Sequence, residues 1–300
     1  MQWCISGLES HAIYLDEGSI PLLSAIAEFS IIINSIKQIK MRKTLGIIGL
    51  ERELSSQLKE SFDGLVLVHD YLPKYVVNNG KLFLENPNGV GFKPVDMVVF
   101  HGIFENDFDL ITALTFWGGP CFPNPMAMMN CRLKLPCLAR ALQVTDFGAP
   151  RGMIPEGVDI NTKDHTVGKW GNWHCGENKH HFVGRWKSSE VAVLEPYFEV
   201  EAIRVIIVGD QALQIKMAGE DWLKSIHSPD ASLMELGEAL YDDTLKLKNH
   251  FGLEIIANDY IVAADGNKYL LEVNHIPNVT RFQELQDIYL AEIGKWISSK

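Results

Sequence analysis

Two strand-like runs, Glu254 to Val262 and Lys268 to Asn274, flank the tetrapeptide Ala264-Asp265-Gly266-Asn267. Asp-Gly in such a setting is a strong hairpin signal, because the tight turn it favours needs positive φ at its centre. The hairpin constrains chemistry as well as fold. Strand alternation places Glu272 and Asn274 on one face, with Leu271 and Val273 on the other. Asp259 precedes Glu272 by 13 residues, on the strand before the turn. Antiparallel pairing can bring these three oxygen-bearing side chains onto one face. Burying a carboxylate beside a carboxamide is costly unless something pairs with them. A partner side chain, solvent or a metal ion would each serve.

Upstream, strands and helices alternate. Residues 44–50 read as a buried strand, 51–62 as a polar helix, Leu65 to Val68 as a second strand and Asp96 to Phe100 as a third, followed by a helix over about 106–117. That order implies a parallel sheet with crossovers. Gly46 and Gly49 hint at a dinucleotide fingerprint, but GxGxxG is absent. Pro123-Asn124-Pro125 opens a new unit, with a helix from about Ala127 to Leu142 and a turn at Gly148-Ala149-Pro150. Short strands are expected over 151–198, then strands Ala202 to Val208 and Ala212 to Met217. An amphipathic helix follows from about 230 to 251, apolar at Leu233, Leu236, Leu240, Leu245, Leu247 and Phe251, with Gly252 as its C′ residue. The expected parts are a segment 1–40, an α/β domain 41–121, and two further subdomains, 122–198 and 199–300.

At 47% hydrophobic and 22% charged residues, the composition is that of an ordinary globular protein. A formal charge of −11 argues against a general nucleic-acid binder, although a local lysine cluster can still attract an anion. Five cysteines without a CxxC pair fit reduced thiols and a cytoplasmic protein. The most apolar stretch, Ile20 to Ile36, is interrupted by Glu28, Ser30, Asn34 and Ser35, so no membrane span is expected. Met41-Arg42-Lys43 followed by a strand reads like the natural start of an α/β protein. Residues 1–40 are therefore read as either an accessory amphipathic segment or upstream sequence included by a misassigned start.

Further residue types point to an anion. Lys169 stands at a strand end before a glycine-bearing loop, 171–181, with Gly171 and Gly176, where an ammonium and loop amides can meet a phosphate. A surface lysine beside a flexible loop is the plain alternative. Lys134 offers a second ammonium, or a solvated helix face. Glu195-Pro196-Tyr197 ends a strand, and Glu201 precedes the next. Arg204, inside the apolar strand Ile203 to Val208, needs an anionic partner: a phosphate or a structural carboxylate. Asp259, Glu272 and Asn274 together suit Mg²⁺ or Mn²⁺ better than zinc. A zinc reading of His174, Cys175, His180 and His181 lacks the paired spacing of structural sites.

The order of these residues resembles the ATP-grasp superfamily, with the nearest look to glutathione synthetase and to ligases that add glutamate to protein tails. The resemblance covers about 122–300 well and the preceding domain more loosely. It implies an α/β protein of the α+β ATP-grasp type: an N-terminal parallel α/β domain followed by two α+β subdomains clasping ATP. By that resemblance Lys134 and Lys169 would hold the α- and β-phosphates, and the 171–181 loop would close over them. Glu195, with the Pro196-Tyr197 backbone, would meet adenine, and Glu201 the ribose. Arg204 would face the γ-phosphate, with Lys216 a further catalytic cation, while Asp259, Glu272 and Asn274 ligate Mg²⁺ (or Mn²⁺). Lys224, His227 and Arg281 are candidate substrate contacts, Arg281 equally a structural ion-pair partner.

The implied reaction activates a carboxylate as an acyl phosphate and joins it to an amine. Small-molecule or peptide carboxylate and amine substrates are implied, with no nucleic acid or membrane partner and room for a homo-oligomer. The alternatives are a nucleotide-binding regulatory or scaffold protein without turnover, or a phosphotransferase. Two departures stand out: Asn172, Trp173, His174 and Cys175 fill the loop where the family has small residues, and His275-Ile276-Pro277-Asn278 replaces the common Ser-Pro-Gly.

Overall fold

In the computed structural model the chain divides into two compact units, Met1–Arg42 and Lys43–Lys300. The structure describes residues 42–172, 177–198, 200–219 and 222–300. The expectations for residues 1–40 lie outside the described residues, and the account below concerns the second unit.

Its N-terminal part begins with β1 (Thr44–Ile48), buried along its whole length, then α1 (Arg52–Ser61) and β2 (Leu65–His69). Next comes a small antiparallel sheet, β3 (Tyr75–Asn78), β4 (Lys81–Glu85) and β5 (Phe92–Val95), for which the sequence had suggested no element. The chain then returns through β6 (Met97–Phe100), α2 (Asp107–Trp117) and β7 (Cys121–Phe122). The expected parallel sheet is present, in the order β2-β1-β6-β7. At its carboxyl edge Gly49 has φ +75°, and a Cβ there would lie 2.4 Å from Gly102 Cα. Only glycine allows the loops after β1 and β6 to touch in this way.

The helix expected over 127–142 is two helices, α3 (Pro125–Arg132) and α4 (Lys134–Ala141), separated by the extended residue Leu133 (φ −91°, ψ 118°). Asn124 Oδ1 caps α3 through the amides of Met126 and Ala127. The break makes Lys134 the first residue of a new helix. A second sheet follows, β8 (Gly152–Ile154), β9 (Asp159–Trp170), β10 (Lys179–Lys187) and β11 (Ala192–Pro196), ordered β10-β9-β11-β8.

The last part is a five-stranded antiparallel sheet built on β12 (Glu201–Val208), β13 (Gln211–Met217) and β14 (Ser232–Met234). It is completed by α5 (Glu238–Phe251), β15 (Ile255–Val262) and β16 (Lys268–Asn274), and α6 (Gln283–Ser298) closes the chain. The strand order is β14-β13-β12-β15-β16. The helix expected from about 230 starts only at Glu238, because 232–234 pair with β13 and carry Leu233 away from the helical face. Gly252 ends it in the left-handed conformation, as expected.

Alternation on β12 sorts the core. Ile203, Val205 and Ile207 pack with α5, while Ala202, Ile206 and Val208 join the core that reaches β1 and α6. On the first of these faces, Tyr260 Oη donates to Asp243 Oδ2 at 2.9 Å and also meets Thr244 and Asn258, all four residues being buried.

The hairpin departs from plain alternation at one point. Asp259 pairs with Glu272 but Tyr260 pairs with Leu270, so Leu271 is an inserted residue, a β-bulge. Leu270 and Val273 therefore both enter the α5-side core, and Leu271 shares a cavity with Glu272 instead of facing away from it.

Tyr260→Phe removes a donor from buried Asp243 and should lower the unfolding free energy by about 1–3 kcal/mol in urea titrations. An unchanged midpoint would mean that Asp243 finds another donor.

Candidate functional site

A cavity of about 520 Å³ is lined by residues of the β8–β11 sheet and the five-stranded sheet. Its apolar part holds Ala202, Met217, Ile261 and Leu271, and the aromatic rings of Tyr197 and Trp222 also line it. His181 stacks on Tyr197 at 3.9 Å between ring centroids, and its Nε2 lies 2.9 Å from Nδ1 of His165. The polar part is made by Lys169, Lys179, Glu195, Asp259 and Glu272.

Each carboxylate there is held by cations. Lys134 Nζ donates to Glu272 Oε1 at 2.7 Å and to Asn274 Oδ1 at 2.6 Å, and lies 3.4 Å from the Val273 carbonyl oxygen. Lys179 Nζ stands 3.5 Å from the other oxygen, Glu272 Oε2. Arg204 grips Asp259 as a fork, Nε–Oδ1 2.5 Å and Nη2–Oδ2 2.7 Å. Lys169 pairs with Glu195 Oε1, and Arg151 Nε with Glu195 Oε2 at 3.1 Å. Five cations thus surround three carboxylates in a chain whose net charge is −11.

Local structure explains how they meet. The start of α4 aims Lys134 at the edge strand β16, and its backbone amide donates to Asn172 Oδ1 at 3.1 Å. Lys169 and Lys179 are register partners across the β9–β10 hairpin. Arg204 and Asp259 are register partners on adjacent strands, as are Asp259 and Glu272. Burial alone would raise the Glu272 carboxyl. Lys134 foremost, then Lys179, outweighs it and holds the group well below the usual carboxylate range. Burial lowers Lys169, and Glu195 opposes that shift.

The structure separates the expected site residues into groups. Lys134, Lys169, Glu195, Arg204, Asp259, Glu272 and Asn274 converge, and Pro196 and Tyr197 line the same cavity. Gly171 sits in the turn after β9 at φ +61°, and Gly176 lies outside the described residues. Glu195 is engaged by two cations rather than standing free for a base. Glu201 and Lys216 are corrected outright: register puts them with Ile203 on the opposite face of the sheet, where they pair with each other half exposed. Lys224 lines the cavity and donates to the Gly219 carbonyl at 2.7 Å. His227 is exposed and lines neither this cavity nor the next. Arg281 donates to the carbonyl oxygens of Ile226, Ser228 and Pro229, so it braces that segment and takes no ion-pair partner among the described contacts. Arg151 and Lys179 were not foreseen; the pairing of Lys179 with Lys169 depends on a hairpin register that sequence spacing alone leaves open.

The donor types here are those expected for magnesium. Two carboxylates and one amide oxygen form a hard donor set, and Asn274 Oδ1 and Glu272 Oε1 both point at the same cation, the Lys134 ammonium. A second cavity, about 280 Å³, lies at the carboxyl ends of β1 and β6 and includes Glu51, Asp70, His101 and the 276–280 loop. His101 Nδ1 lies 2.7 Å from Tyr289 Oη, and burial lowers its pKa to about 4, so the ring is neutral at physiological pH.

No protein-family model matches the sequence, and no curated protein matches it. Solved structures do. D-alanyl-alanine synthetase A from Vibrio cholerae O1 biovar eltor superposes with a TM-score of 0.61 at 13% identity, over 86% of this chain and 98% of that one. Macrocyclase MdnC from Microcystis aeruginosa, bound to precursor peptide MdnA, gives 0.58 at 14% identity over 86% and 100%. The ATP-grasp ligase PsnB, complexed with a precursor variant, Mg and ADP, gives 0.55 at 13% identity over 86% and 100%.

The depressed Glu272 carboxyl makes a signed prediction. Its charge stabilises the fold fully above the ordinary carboxylate pKa of about 4.5, and that contribution fades as pH falls below it. Glu272→Gln should therefore melt well below the wild type at neutral pH, with the gap narrowing in acid. A gap that stays constant with pH would show that the carboxylate charge is not what stabilises.

Proposed function

We propose that this chain, which has the fold of the ATP-grasp ligases, is an ATP- and Mg²⁺-dependent ligase that activates a carboxylate and joins it to an amine. The observation that carries the reading is a cluster of five cations in an otherwise acidic protein: Lys169 and Lys179 line the cavity, and Lys134, Arg151 and Arg204 pair with its carboxylates Glu272, Glu195 and Asp259. Five cations grouped with three carboxylates, beside an apolar slot, suit a triphosphate joined to an aromatic base.

In this reading the base lies in the slot beside Tyr197, and Lys134, Lys169 and Lys179 move from their carboxylates onto phosphate oxygens. Asp259, Glu272 and Asn274 would hold the divalent cation, which when bound would supply positive charge against the transferring phosphoryl group. Arg204, fixed by Asp259, faces the reacting phosphate. The substrate carboxylate attacks the γ-phosphorus, releasing ADP and forming an acyl phosphate. An amine then attacks the acyl carbon, loses a proton and expels inorganic phosphate. The second cavity, beside the backbone that follows Asn274, receives the acceptor. Precursor peptides bind the neighbours MdnC and PsnB, so short peptides belong among the candidate substrates.

The test is an ADP-release screen of paired amino acids and peptides, with mass detection of the conjugate. ADP that appears only with both substrates, together with a product lighter by one water than their sum, is expected. Nucleotide binding without ADP across the panel would make the chain a non-catalytic binder, and a phosphate ester would make it a phosphotransferase. Arg204→Ala should cut turnover about 100-fold while changing ATP affinity far less. Lys169→Ala should chiefly weaken ATP binding; the reverse pattern would exchange their roles.

A further inference from the structure

We infer that Lys134 is an internal rival of the divalent cation, so that metal occupancy depends on prior or simultaneous binding of a polyphosphate. The inference rests on the ATP reading above and concerns the order in which the site fills. Lys134 is 4% exposed, and its ammonium donates to Glu272 Oε1 and Asn274 Oδ1, two of the three proposed metal oxygens. Those are the oxygens that would ligate Mg²⁺. Lys179 stands against the other Glu272 oxygen, and Arg204 covers both oxygens of Asp259.

A metal ion arriving alone would therefore have to displace Lys134, and it would add positive charge to a site already rich in it. In a poorly solvated site that repulsion is weakly screened. A polyphosphate reverses the balance, because it supplies several negative charges and gives each lysine a new acceptor. Once Lys134 turns to phosphate, Glu272 and Asn274 are released to the metal. The two ligands are thus positively coupled, and by linkage each tightens the other.

The experiment is titration of the full chain with Mn²⁺ alone, followed by the free-ion paramagnetic resonance signal. Wild type should take up little Mn²⁺, whereas Lys134→Met and Lys134→Gln should bind it at least tenfold more tightly. Wild type that binds Mn²⁺ alone as tightly as the variants, or variants that fold and gain nothing, would overturn the inference. Should neither variant fold, the wild-type arm decides by itself: stoichiometric uptake of Mn²⁺ near micromolar concentration overturns it, and none supports it. A fluorescent ATP analogue with Mg²⁺ separates the two readings. If the analogue binds, an adverse Mn²⁺ result sinks only the rivalry of Lys134; if it does not bind, the ATP reading itself falls.

Discussion

One carboxylate, that of Glu272, joins three segments distant in sequence. It sits on the edge strand of the large sheet, receives Lys134 from the break between two helices, and lies against Lys179 from the other sheet. Removing either partner of a buried ion pair leaves the other charge uncompensated, at a cost of about 3–5 kcal/mol. Such a contact therefore fixes the relative placement of the parts it joins. Glu195 repeats the device deeper in the cavity, between Lys169 and Arg151. Arg151 also reaches the Leu270 carbonyl, tying the second sheet's approach to β16. The walls of the cavity are thus held together by the same charges that a polyphosphate would recruit.

The hairpin was legible because its turn chemistry is local: Asp265-Gly266 fixes the bend, and pairing brings Asp259 opposite Glu272. The bulge at Leu271 was not legible, since an inserted residue shows only when the partner strand is in register. It turns Leu271 into the cavity while leaving Glu272 and Asn274 on the expected side. The orientation of Glu201 was legible in the strand period. Ile203, Val205 and Ile207 alternate with Arg204 in the sequence itself, so Glu201 had to face away from Arg204. The small sheet over 75–95 was not legible because its strands are short and its outer residues Val76 and Phe92 are apolar though exposed, which blurs the two-residue period.

Global and local charge point in opposite directions here. A chain of −11 repels polyanions at long range, and screening limits that repulsion to about 8–10 Å at physiological ionic strength. Inside that distance the cavity cations dominate. Their arrangement around carboxylates keeps them soluble within the fold without requiring a ligand. It also means that anion binding exchanges one set of ion pairs for another, so net affinity comes from the cations in excess of the carboxylates rather than from every contact made.

The backbone leaving the metal motif carries the argument to the second cavity. Asn274 ends β16, and two residues later Ile276 is buried in the core formed with β6 and α2. Pro277 and Asn278 then line the second cavity, where Asn278 Oδ1 accepts from the amides of Thr280 and Arg281. The wall of a proposed acceptor pocket thus begins two residues after a proposed metal ligand, because Ile276 both lines that pocket and is anchored in the core. Any shift of Glu272 and Asn274 on metal binding must pass through that anchor or be absorbed before it. A short, anchored connection of this kind favours a rigid relation between donor and acceptor sites, which is what in-line transfer between two bound substrates requires.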